Sequence, residues 1–209
     1  MTTFGPKDAD AWYARNKHKL DQVGDPVMRA IEQQGIWPNH VLEVGCADGW
    51  RLRKLHDKYE CQFDGVELSM NPVHSLNSNF WKRGLIWEGN AKTLGAWSRE
   101  HDRTDLLIYG FCLYVCEPTD LLQIAATGDL ALKDNGYIII HDFLPDHPYS
   151  RIFEHNKELR SRKCDHAQLW LAHPAYSMVR RDIYGDDDDR THVTILKKDM
   201  ANAFPLQEI

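Results

Sequence analysis

Apolar residues along this chain fall into short blocks, separated by polar stretches of helical length. The blocks near 40–45, 62–67, 84–88, 105–110 and 136–142 are rich in Val, Ile, Leu, Phe and Tyr. Such runs, bounded by turn residues, predict strands buried on both faces. Between the first two, residues 50–59 set Leu52 and Leu55 among charges, which predicts a helix. Two more helices are predicted ahead of the first strand, at 8–20 and 25–35. The second opens on Asp25-Pro26, a cap followed by a first-turn proline, and stops at Gly35. Strand and helix in alternation call for an α/β fold with a doubly wound, mostly parallel sheet and helices on both faces.

The last third of the chain changes pattern. Residues 175–184 and 191–197 read as strands, and the segment 185–190 between them is too short for a helical crossover. An antiparallel hairpin follows, completing a seven-stranded sheet. Its tip carries four aspartates, 186–189, which read as a solvated turn rather than a calcium loop. Before it, residues 143–174 form an insertion whose lysines and arginines outnumber its acids, read as a solvated helix face. The expected organisation is one domain: a helical cover at 1–36, a core at 37–142, the insertion, and a terminal hairpin at 175–198.

Composition narrows the class. At 209 residues the chain can bury a core without metal or disulfide staples. Its net charge of −6 argues against a general nucleic-acid binder. No apolar run approaches the roughly 20 residues that span a bilayer, and no leader pattern opens the chain. Five cysteines without paired C-x-x-C spacing read as reduced thiols in the cytoplasm, and no metal site is expected. Oligomeric state is not legible.

The chemistry concentrates at residues 39–49, Asn-His-Val-Leu-Glu-Val-Gly-Cys-Ala-Asp-Gly. A strand breaks there into a turn with glycines at 45 and 49, and a helix follows. That combination makes a nucleotide-type site at the carboxyl edge of a sheet. The G-x-x-x-G spacing departs from the G-x-G-x-x-G of dinucleotide binders, and no G-K-[ST] closes a P-loop. Glu43 inside the strand end suits a ligand with an ammonium and a sulfonium centre better than one with two phosphates. A nucleotide-cofactor oxidoreductase, NAD(P)-dependent, and a non-catalytic binding module stay open as alternatives.

The string Val41–Gly49 resembles motif I of the class I S-adenosylmethionine-dependent methyltransferases, h-(D/E)-h-G-x-G-x-G, with Ala47 in place of the middle glycine. Glu67, 24 positions beyond Glu43, ends the second apolar run where that family has an acid binding the ribose hydroxyls. The resemblance covers most of residues 38–142 and implies S-adenosylmethionine as cofactor, with S-adenosylhomocysteine as product. It places Glu43, Gly45, Cys46, Ala47 and Gly49 along the methionine part. Glu67, Leu68 and Ser69 fall at the ribose and adenine, Asn90 and Ala91 at the adenine, and Gly110 and Phe111 beside the reactive methyl. Tyr13 and Arg15 on the N-terminal helix, with Asn16, are expected to reach the cofactor's carboxylate.

Three residues are candidates for the reaction itself. Tyr114 follows the fourth strand, either orienting an acceptor or serving as an aromatic lid. His141 and Asp142 end the fifth strand, His141 as a general base if the acceptor is a hydroxyl. Strand alternation lets only one of them face a pocket. The implied activity is direct in-line methyl transfer to a small polar acceptor, a sugar or secondary metabolite, with the insertion selecting it. The positive insertion leaves an anionic acceptor, such as a nucleotide-linked or acidic sugar, open beside its reading as a solvated helix face.

Overall fold

The computed structural model describes residues 3–20, 24–69, 71–74, 84–95, 97, 101–186 and 189–206. Helices α1 (Pro6–Asn16) and α2 (Pro26–Gln34) precede strand β1 (His40–Val44), α3 (Trp50–Tyr59) and β2 (Gln62–Glu67). A helical turn at Asn71–His74 leads on to β3 (Gly84–Glu88), β4 (Thr104–Gly110), α4 (Leu121–Ala131) and β5 (Leu132–Phe143). Then come β6 (Tyr149–Phe153), β7 (Asn156–Lys163), a second short turn at Gln168–Leu171, β8 (Tyr176–Tyr184) and β9 (Thr191–Lys198). Pro72 lies at the start of the turn Asn71–His74, where its fixed φ suits a helix entry. Residues 75–83 of that connection, and Asp187 and Asp188 of the acidic tip, lie outside the described residues.

Seven strands form one sheet in the order β3-β2-β1-β4-β5-β9-β8. The first five pair in parallel, and β9 runs antiparallel to both β5 and β8. The hairpin thus inserts its second strand beside β5, and the expected topology holds. Apolar side chains on the two sheet faces build two cores. Leu42, Leu107, Tyr109, Ile138 and Ile140 pack toward α4 and Trp170; Val41, Leu106, Ile108 and Ile139 pack toward α2 and α3. Alternate residues of each strand serve opposite faces, so a continuous apolar run is what the architecture requires.

Local chemistry sets the ends of α2. Asp25 accepts the amide of Met28 at 2.8 Å, and Gly35 closes the helix at φ 68°. Helix α1 stops at Asn16 rather than 20, its last turn passing into a 3-10 turn at Lys17–Lys19. Strand β5 begins four residues earlier than its apolar run, because Leu132 pairs with Thr104 before the register shifts.

The insertion differs from expectation. It is mainly a β-hairpin, β6–β7, forming a separate two-stranded sheet. Leu159, Ser161 and Lys163 are buried while Arg160 between them is exposed, a period of two that the high charge disguises. Phe153 and Leu159 from this hairpin join Tyr114, Trp12, Phe4, Phe111 and Phe143 in a third, mostly aromatic cluster above the sheet's carboxyl edge. Asn156 also donates to Asp8 of α1 at 2.9 Å, so the hairpin and the first helix are tied together.

Candidate functional site

The turn after β1 is held by backbone. Gly45 N–H donates to the Val66 carbonyl at 2.7 Å and Gly49 N–H to the Cys46 carbonyl at 2.8 Å. Gly45 lies at φ 72°, and a Cβ there would come within 3.0 Å of the Cys112 Cβ. Ala47 also lies in the left-handed region, at φ 51°. A residue with a Cβ pays about 1–2 kcal/mol for that conformation, and its amide offsets part by donating to Glu67 Oε2 at 2.8 Å. The other Glu67 oxygen accepts the Ser69 amide at 3.0 Å. One carboxylate therefore ties the loop after β1 to the loop after β2. Burial pushes its pKa up, and the amides of Ser69, Ala47 and Leu68 pull it back.

These groups border a cavity of about 230 Å³ at the carboxyl edge of the sheet. That is room for a small molecule, since a water's share of the liquid is only about 30 Å³. Of the residues singled out from the sequence, Tyr13, Gly45, Ala47, Glu67, Leu68, Asn90, Ala91, Gly110, Phe111 and Tyr114 are on its wall. Asn90 accepts the Lys92 amide at 2.9 Å and so caps the turn that forms this rim. Tyr13 donates its hydroxyl to Asp48 at 3.1 Å, docking α1 on the glycine turn. Ser69, behind the wall, bonds Asp10 and docks the same helix a second time.

Glu43 is placed elsewhere. Its carboxylate is buried and pairs with Arg51, which also binds Asp25 at 3.0 Å. A Cβ on Gly110 would meet Arg51 Nη1 at 3.0 Å and Glu43 Oε1 at 3.4 Å, so the pair lies directly behind the wall. Burial raises Glu43 to about 7 against the pull of Arg51, with Asp25 and Glu67 adding repulsion. Cys46 points into the core on the far side, toward Gly65, and Gly49 serves as the N-cap of α3 at φ 68°. Arg15 and Asn16 are also off the wall. Asn16 donates to the Trp12 carbonyl at 2.8 Å, whereas Arg15 Nε and Nη2 are buried without a partner.

Neither His141 nor Asp142 lines the cavity. They point to opposite faces, as alternation requires, but both sit beneath the surface. Burial, aided by Arg51, lowers His141 to about 3, too weak a base to take a proton from a hydroxyl near neutral pH. Its carbonyl accepts the Phe111 amide at 2.7 Å and its ring lies 4.3 Å from the Phe111 ring. His141 thus supports Phe111, which is itself held at φ 50°. Asp142 is raised to about 7 by burial, against the amides of Phe143, Tyr114 and Leu113 and the charge of Lys163. It accepts the Tyr114 amide at 3.2 Å and so holds the backbone that presents the Tyr114 ring.

The sequence reading missed Phe4, Val115, Cys116, Glu117, Asp120 and Ile124 on the wall, as well as Arg51 behind it. A buried arginine one position into α3, on a helix whose other charged residues are not buried, has no period that marks it. The basic insertion is also partnered. Arg151 and Lys163 bind Asp189, at the half-exposed tip of the β8–β9 hairpin, and Arg162 binds Glu117 at 2.7 Å. Three of the insertion's cations are therefore engaged within the protein. All five cysteines are unpaired, and among the described residues no helix is long and apolar enough to cross a membrane.

No family model matches the chain, and no curated protein matches it in sequence. Solved structures do match in fold. One is the 1,6-didemethyltoxoflavin-N1-methyltransferase of Burkholderia thailandensis, solved with 1,6-didemethyltoxoflavin and S-adenosylhomocysteine. It superposes at TM-score 0.67 with 17% identity, over 95% of this chain and 92% of that one. The N-methyltransferase NodS of Bradyrhizobium japonicum WM9 gives 0.62 at 13% identity, over 91% and 98%. The glycopeptide N-methyltransferase MtfA gives 0.60 at 12%, over 86% and 98%. The chain has the Rossmann-like α/β fold of the class I S-adenosylmethionine-dependent methyltransferases.

Proposed function

We propose that the protein is a methyltransferase that takes its methyl group from S-adenosylmethionine and passes it to a small-molecule acceptor. The observation that carries this reading is Glu67. It stands on the cavity wall with each oxygen held by a backbone amide, and the carboxylate keeps acceptor capacity for a vicinal diol. The residues present fit the cofactor. Gly45 leaves room that a Cβ would fill, Ala47 keeps the loop's left-handed turn, and Asn90 and Ala91 form the rim beyond the ribose.

When bound, S-adenosylmethionine supplies an electrophilic methyl group on a sulfonium. The protein's part is to bind, orient and exclude water. Gly110 and Phe111 border the place for the reactive end, Phe111 being held by the His141 carbonyl. Helix α1, docked through Tyr13 and Ser69, closes one side, and β6–β7 backs the Tyr114 segment on the other. Proton transfer by His141 or Asp142 is not part of this mechanism.

Calorimetry with S-adenosylhomocysteine tests the proposal. Binding is expected, weakened by about 1–3 kcal/mol in Glu67→Ala, the worth of hydrogen bonds to a charged group. Thermal stabilisation by NAD and none by S-adenosylhomocysteine would replace this reading with an oxidoreductase.

A further inference from the structure

The cavity wall divides by chemistry. Near Glu67 and Asn90 it offers backbone amides and hydrogen-bonding side chains. At the other end it is aromatic, with Phe4, Trp12, Phe111 and Tyr114 side by side and Val115 next to them. Two rings there are locked. Phe143 packs edge-on against Phe111 at 5.5 Å and against Tyr114 at 5.2 Å. Rings held this way lose little rotamer freedom when a ligand arrives.

The same end offers no free charge among the described residues of the wall. Glu117 is bound by Arg162 at 2.7 Å, and Asp120 by Lys92 at 2.8 Å. Burial pushes up the Tyr114 phenol and the Cys112 and Cys116 thiols, so all three are neutral at pH 7. Arg15 has unpartnered nitrogens and acts electrostatically on Tyr114, yet it is not on the wall. An ionic ligand here would shed its water with no unpaired charge on the wall to receive it, only Arg15 behind, which is unfavourable. A planar ring would meet ring faces and edges at favourable offset or T-shaped angles.

We infer that the aromatic end receives an uncharged, planar aromatic methyl acceptor. The inference rests on reading the polar end as the S-adenosylmethionine site, and it replaces the anionic acceptor that the insertion's charge suggested.

Three probes of similar size separate the possibilities: quinoxaline, uncharged and planar; quinoline-2-carboxylate, planar and anionic; and methyl glucoside, uncharged and not aromatic. Each is titrated by calorimetry into the full chain saturated with S-adenosylhomocysteine. Quinoxaline is expected to bind most tightly, and Trp12→Leu or Tyr114→Leu to weaken it about three- to tenfold, the worth of one aromatic contact. Retained S-adenosylhomocysteine affinity in each variant shows that it is folded. Tighter binding of the carboxylate, lost in Arg15→Gln, would overturn the inference in favour of an anionic acceptor. Tighter binding of methyl glucoside, or no binding of quinoxaline to a protein that holds S-adenosylhomocysteine, would also overturn it. Failure to bind S-adenosylhomocysteine at all would instead strike the proposed function.

Discussion

The two ends of the cavity are built by different means. The end near Glu67 is made by backbone: left-handed turns at Gly45, Ala47 and Gly49, and amides directed at a single carboxylate. The aromatic end is made by side chains from α1, the segment after β4 and the end of β5, backed by β6–β7. A backbone site tolerates few residue types, because φ above zero and close approach exclude most side chains. A side-chain site can be rebuilt by substitution while the fold stays. One scaffold can therefore keep one ligand and change the other.

The sharpest way to break that contrast is Arg51→Met. It strands Asp25 and Glu43 behind Gly110 without their counter-charge, and about 3 kcal/mol of stability should be lost, part of the cost being relieved as Glu43 takes up a proton. Chemical denaturation reads the loss. An unchanged midpoint would mean that the pair does not brace the wall. Glu67→Ala comes next, with its 1–3 kcal/mol falling on S-adenosylhomocysteine; quinoxaline affinity, measured at saturating S-adenosylhomocysteine, should hardly move. Equal losses for both ligands would show that the two ends are not separable.

Acid should act on buried histidines behind both ends. His141 is lowered to about 3, and His166 and His192 to about 4, each chiefly by burial. A group lowered in the native state adds stability above its unfolded pKa near 6.5, and that stability is lost as pH falls toward the native value. Glu43 and Asp142, raised to about 7, work in the opposite sense and give up stability as pH rises from about 4 to 7. Glu67, also pushed up by burial, acts in the same sense as those two carboxyls, so the decisive reading is differential: between pH 6.5 and 5 the melting temperature of His192→Asn should fall less than that of the parent chain. An equal or steeper fall in that variant would reverse the assignment for His192.

The smallest effects lie at the seams. Asn156→Ala removes one hydrogen bond between β7 and α1 and should destabilise by about 0.5–1.5 kcal/mol, seen as faster amide exchange in α1. Ala47→Gly relieves the left-handed strain but frees the unfolded chain, and about 0.5 kcal/mol of net stabilisation is expected. A loss of stability in that variant would mean that the Ala47 methyl packs more favourably than its backbone is strained.

Much was legible before any coordinates. Short runs rich in apolar residues marked β1, β2, β4 and β5, since a parallel sheet buries both faces of its strands. The short gap at 185–190 required β8 and β9 to pair as a hairpin, and Gly45 with Glu67 marked the edge where the cavity lies. Each of these rests on local geometry: a period, a loop length, a turn. The roles of Glu43, Arg51, His141 and Asp142 were decided by which neighbours the fold brought to them. A carboxylate at a strand end can face a ligand or an arginine, and the chain shows no period that separates the two. Nor did it show that the charged insertion is a hairpin, or that Arg151, Lys163 and Arg162 are engaged by Asp189 and Glu117. Electrostatic partners are fixed by distances between segments far apart in the chain, and those distances exist only once the chain has packed.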